Sequence, residues 1–134
     1  MKLTIKPIVQ VSWGELIDKM TILEIKEQRL KSTNAVANVR RELATLASVV
    51  HDILLQRPDL ASVKKQLRVI NEALWDIEDE IRAKEAAKSF DQQFIELARS
   101  VYINNDKRGG LKRQINALLD SELVEEKQYT LYSI

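Results

Sequence analysis

Seven apolar residues, Leu60, Val63, Leu67, Ile70, Leu74, Ile77 and Ile81, recur in alternating steps of three and four. That spacing keeps one face of a helix apolar for about six turns, as in a coiled-coil seam. Such a helix cannot bury its stripe alone, so the rest of the chain must supply helices to cover it. The helix is expected from Asp59 to about Ala87, because Arg57, standing before Pro58, avoids the helical region.

The remaining sequence supplies those partners. Ser12 and Glu15 form a capping box that opens a helix running to about Lys31. Trp13, Leu16, Ile17, Met20, Leu23 and Leu30 share one broad face of it, while Ile22 and Ile25 lie nearly opposite at about 100° per residue. A helix apolar on two sides belongs between neighbours, so this one is placed centrally. Val36, Val39, Leu43, Leu46, Val50 and Ile53 mark a second helix over about 35–56. Its short connection to the Asp59 helix predicts an antiparallel hairpin.

The fourth helix is expected from about 90 to 119, opened by a capping box of Ser89 and Gln92. Phe94, Leu97 and Val101 set a phase that falls next on Asn104 and Arg108, then on Leu111, Ile115 and Leu118. The stretch "NNDKRGG" resembles a turn, yet a turn has no reason to preserve the register across it. Gly109 and Gly110 cost a continuous helix about 2 kcal/mol relative to alanine, which a long packed seam absorbs. One helix, bent at the glycines, is the favoured reading over a turn.

Residues 1–11 alternate loosely, with Leu3, Ile5, Val9 and Val11 apolar, and Pro7 forbids a regular interior strand. They read as an extended arm, with room for one short edge strand. The C-terminal "QYTLYSI" is placed against that arm, paired or packed beside it. The expected architecture is thus all-α, a single domain over 1–134. It is an antiparallel bundle of about four long helices, with a helix 2–helix 3 hairpin, a long bent helix 4 and short extended arms.

Composition narrows the functional classes. Lys and Arg number 21 against 20 Asp and Glu, so no global field draws the chain to nucleic acid. Without cysteine there is no thiol nucleophile or thiolate site, and the lone His51 has no second histidine with which to hold a transition metal. No apolar run approaches the roughly 20 residues of a membrane span. No phosphate loop or dinucleotide fingerprint occurs. A cytoplasmic protein with no cofactor, no metal and no membrane or nucleic-acid partner is expected.

Three clusters stand out. Asn104 and Arg108 interrupt the fourth seam, with Tyr102, Asn105, Asp106 and Lys107 around them. A buried guanidinium needs a carboxylate, and Glu24, pointing into the apolar face of the first helix, is the expected partner. The layer reads either as a register-setting salt bridge or as a ligand site. In the second case Arg82, Arg99 and Arg108 would clamp an anion and Glu24 or Glu78 would act as acid or base. The second cluster, Arg68, Asn71, Trp75, Glu78 and Arg82, runs down one flank of the third helix. It is either an interaction surface or a flank covered by another helix. The third is the basic set Lys107, Arg108, Lys112 and Arg113, which no nucleic-acid-binding fold accompanies.

Two segments, "VSWGELIDKMTILEIK" at 11–26 and "LWDIEDEIRAKE" through "FIELARSVYINNDKRGGLKRQIN" at 74–116, resemble a family of small bacterial helical proteins classed as a domain of unknown function. The resemblance implies a bacterial cytoplasmic protein and carries no assigned activity. "ELIDKMTILEIKEQR" is faintly similar to the first helix of the all-helical chorismate mutases, but the arginine that family places ahead of its Ile-Asp pair is missing before Ile17–Asp18. The leading expectation is a non-enzymatic, self-associating helical module, a dimer by preference, with another protein as a further possible partner. The alternative is a binding protein or small enzyme for an anionic metabolite at Arg108.

Overall fold

The computed structural model describes residues 4–134 and contains four helices: α1 (Trp13–Arg29), α2 (Thr33–Gln56), α3 (Asp59–Ala86) and α4 (Gln92–Leu118). There is no strand among the described residues. Every helix boundary falls within two residues of the position its sequence pattern predicts. No described helix is long and apolar enough to cross a membrane.

The caps show how the sequence sets these limits. Ser12 Oγ accepts from the Glu15 N–H at 3.1 Å, but the Glu15 carboxylate accepts from Lys112 Nζ at 2.8 Å, so its half of the capping box is spent on α4. Ser32 caps α2 by accepting from Ala35 N–H. At α4 the cap is Asp91, not Ser89: Asp91 Oδ1 accepts from the Phe94 N–H at 3.0 Å. Ser89 instead closes α3, its N–H donating to the Lys84 carbonyl at 2.9 Å. Lys88 sits beside it in the left-handed region, with φ of 55°, at the helix-end position that normally favours glycine.

α1 touches all three other helices, and Ile17 and Ile25 are almost wholly buried. That is the central placement its two apolar sides require. α2 lies along α1, tied by Lys19–Glu42 at 2.7 Å and Arg40–Glu27 at 3.5 Å. It meets α3 near the Arg57–Pro58 turn, where Val50 joins Ile17, Leu60, Val63, Leu67 and Ile115 in one buried cluster. The expected α2–α3 hairpin is therefore a contact at one end. The extensive antiparallel pair is α3–α4, because the α3 seam faces Ile17 and Ile115 while α2 occupies the other flank of α1.

α4 is one uninterrupted helix of 27 residues through Asn104–Gly110, as the preserved register predicts. α1 stops beside the middle of α3, where the Arg29 guanidinium meets Asp76 at 2.6 Å and lies over Trp75. Beyond that point α3 and α4 have chiefly each other, and no residue from 72 to 108 is buried. Among the described residues no hydrogen bond joins the C-terminal segment to the N-terminal arm. The C-terminal segment folds back along α4, with Glu125 on Lys112 at 2.6 Å, Tyr132 OH donating to Asp106 and the Tyr102 and Tyr132 rings edge to face. The arm itself is extended and exposed at Ile5, Ile8 and Val9. The expected contribution of Leu3 lies outside the described residues.

The glycines divide by what surrounds them. A Cβ on Gly14 would meet the Lys112 carbonyl oxygen at 2.5 Å, whereas one on Gly110 would meet nothing within 4 Å. Gly14→Ala should destabilise the fold by about 1–3 kcal/mol through overpacking of α1 against α4. Gly110→Ala should stabilise it by about 1 kcal/mol through helix propensity. Urea melts of the two variants check both signs. The α4 cap carries a pH signature. Hydrogen bonds from Lys84 first, then from the Phe94 N–H, lower the Asp91 carboxyl to about 2. Its contribution is complete above the ordinary aspartate value of about 4 and is lost as pH falls toward 2. Asp91→Asn keeps an N-cap oxygen without the titration, so the wild-type advantage in melting temperature should shrink between about pH 4 and 2. An advantage constant over that range refutes the assignment.

Candidate functional site: a polar layer across three helices

Asp18 is a carboxylate in the interior, with its residue only 1% exposed. Arg108 approaches it with two donors, Nε to Oδ1 at 2.9 Å and Nη2 to Oδ2 at 2.5 Å. Asn71 Nδ2 donates to Asp18 Oδ1 at 2.9 Å and to Thr21 Oγ1 at 2.8 Å. Thr21 in turn donates to the Asp18 carbonyl at 2.8 Å. The layer thus takes Asp18 and Thr21 from α1, Asn71 from α3 and Arg108 from α4. Both Asn71 amide protons are used. The Asp18 hydrogen bonds, opposed by partial burial, raise the Arg108 guanidinium above its ordinary value, so it stays charged.

A second layer lies one helical turn along α4. Lys112 is 7% exposed at its side chain and bridges Glu15 at 2.8 Å and Glu125 at 2.6 Å. Burial alone would lower the Lys112 ammonium, but hydrogen bonds to Glu125 and Glu15 outweigh it and hold the group above its usual range. The Glu125 carboxyl is lowered chiefly by the same Lys112 contact. Asn116 completes the end of the bundle by accepting from the Gly14 N–H at 2.7 Å. Its Nδ2 is buried without a partner among the described residues. The Trp13 N–H donates to Ser121 Oγ at 3.3 Å.

The sequence locates Arg108 in an ion-paired layer, but the partner is Asp18 and not Glu24. Glu24 accepts from Lys64 at 2.7 Å and Arg68 at 3.3 Å on the α1–α3 flank. Asp18 lies seven residues before Ile25, about 20° away around the helix, with Thr21 beside both. A carboxylate on the second apolar side of α1 was the signal for it. The flank of α3 is covered by α1 over its first half: Arg68 also donates to Gln28, Asn71 reaches Asp18, and Trp75 packs under Arg29. Farther along, Glu78 and Arg82 pair with each other in solvent, at 3.3 Å.

Arg99 is exposed and Asn105 half-buried. Asn104 Nδ2 returns to the Ser100 carbonyl at 2.8 Å. Tyr102 and Asp106 meet Tyr132 of the C-terminal segment, which raises the Tyr132 hydroxyl to about 12 through its bond to Asp106. Glu24, Glu78, Arg82 and Arg99 therefore do not converge on Arg108. The basic set is likewise dispersed: Arg108 and Lys112 turn inward while Lys107 and Arg113 face solvent.

In chemical terms the first layer is a chelated ion pair that links α1, α3 and α4. Its guanidinium is already chelated by Asp18, and apart from the Thr21–Asp18 bond within α1 each hydrogen bond reaches another helix. Breaking a buried pair costs about 3–5 kcal/mol. Because the Arg108 side chain is 28% exposed, Arg108→Leu and Asp18→Leu should each cost about 2–4 kcal/mol. The double variant should recover most of that loss, since no uncompensated charge is left inside. Denaturant melts completing this double-mutant cycle check it, and additive losses would exclude the pairing as the source of the effect.

No curated protein and no solved structure matches the chain. The profile of a family of unknown function (DUF6165) matches residues 7–133, and the chain belongs to that family.

Proposed function

We propose that the protein is a non-enzymatic helical module that self-associates through the outer half of its α3–α4 hairpin. The observation that carries this reading is the solvent exposure of that hairpin. Leu74, Ile77, Ile81, Phe94, Leu97 and Val101 continue the two seams, yet no residue from 72 to 108 is buried. Phe90 and Ile95 are 55% and 49% exposed on the same segment. The chain exposes 9696 Å², whereas a compact monomer of its 15.4 kDa exposes about 7,200 Å². The excess is shared between this hairpin and the extended terminal segments, where Ile5, Ile8, Leu131 and Ile134 are also exposed.

Two helices with an uncovered apolar side complete a four-helix core when a second copy is laid against them. A two-fold axis needs only one self-complementary patch. The alternative, an anionic ligand held at Arg108, has less support because Asp18 already takes both of the donors that would grip it.

Sedimentation equilibrium on the full chain tests the proposal. A dimer is expected, and Phe90→Glu with Ile95→Glu should weaken it about tenfold or more, equivalent to about 1.4 kcal/mol or more, with helicity unchanged by circular dichroism. A strict monomer at high concentration would falsify it.

A further inference from the structure

A groove of about 570 Å³ opens between α3 and α4 on a face apart from the polar layer, lined by Lys65, Gln66, Val69, Ile70, Lys107, Gly110 and Leu111. Its floor is aliphatic, from Val69, Ile70 and Leu111. Its charged rim is entirely basic, because no acid is among the lining residues. Neither Lys65 nor Lys107 makes an ion pair among the described residues. Gly110 is what opens it. That glycine has no positive φ, and nothing lies within 4 Å of where its Cβ would be. Neither backbone conformation nor internal packing demands a glycine there, and helix propensity disfavours it. The space it leaves faces outward.

We propose that this groove binds a small amphiphilic monocarboxylate, its short apolar chain on Val69, Ile70 and Leu111 and its anionic head between Lys65 and Lys107. The volume is that of a small-molecule site. The lining spans residues 65–70 of α3, about 8 Å along the axis at 1.5 Å per residue. That length accepts a chain of a few carbons and is short for the two-turn anchor pattern of a docked helix. An apolar floor under two unpaired ammonium groups selects against both a neutral alcohol and a carboxylate without a chain.

Octanoate, octanol and acetate titrated into the full chain by isothermal calorimetry test the proposal. Octanoate should bind saturably, with octanol and acetate about tenfold weaker or worse, a difference of about 1.4 kcal/mol. Gly110→Leu fills the groove while improving helix propensity, so octanoate binding should vanish. Val69→Glu, at a position already 58% exposed, provides a second test if Gly110→Leu perturbs folding, and it too should abolish binding. Lys65→Gln with Lys107→Gln should erase the preference for octanoate over octanol. The proposal is overturned by absence of saturable binding, by equal binding in Gly110→Leu or Val69→Glu, or by equal affinity for octanol. It is also overturned if Gly110→Leu disrupts self-association, because the groove would then seat a second copy. The outer-hairpin reading is tested by Phe90→Glu and Ile95→Glu, which leave this groove intact, so the two can fail separately.

Discussion

A carboxylate removed from water must be matched by a cation and by hydrogen bonds, or its burial costs several kcal/mol. Asp18 imposes that requirement on three helices at once. Arg108 reaches it only if α4 passes through Asn104–Gly110 without a turn, and Asn71 reaches it only if α3 lies at one particular height against α1. Aliphatic seams tolerate sliding by a heptad, since one leucine is much like the next. A chelated carboxylate does not, because a shift of one turn, about 5.4 Å, breaks every bond between helices in the layer. The polar layer therefore fixes the relative heights of helices that the seams alone only bring into contact.

The seams, the helix limits and the continuity of α4 were legible in the sequence because each follows from local spacing and capping chemistry. The heptad phase crossing "NNDKRGG" was a stronger signal than the turn-like composition of those residues. The choice of Arg108's partner was not legible in the same way. Glu24 lay within the larger apolar face of α1, whereas Asp18 lay on the smaller face with Thr21 and Ile25, and periodicity does not say which face meets which helix. The same gap explains the α2–α3 hairpin. A short connection fixes where two helices meet, but α2 could still lie on either neighbour beyond it. At α4 the cap moved from Ser89 to Asp91 because Ser89 was already needed to end α3.

The terminal segments followed different physics. A strand pair between "QYTLYSI" and the N-terminal arm would stand alone, and an isolated pair of strands in water is marginal. Tyr132 gains an aromatic edge and a carboxylate from α4 instead. Lys112 is buried partly because Glu125 of the same segment comes back to meet it. The segment thus contributes charge to the bundle and not backbone pairing.

The clasp at the start of α1 has a consequence for the order in which the molecule is made. Gly14 and Asn116 are separated by 102 residues, and Asp18 and Arg108 by 90. On the ribosome α1 and α2 emerge long before either partner exists. Loop closure over such distances must come before any gain from the contacts. The contacts of α1 with α4 can accordingly form only once α4 has left the exit tunnel, after the partners of α1 on α2 and α3 are already present. Until then only α2 and α3 are there to cover its two apolar sides.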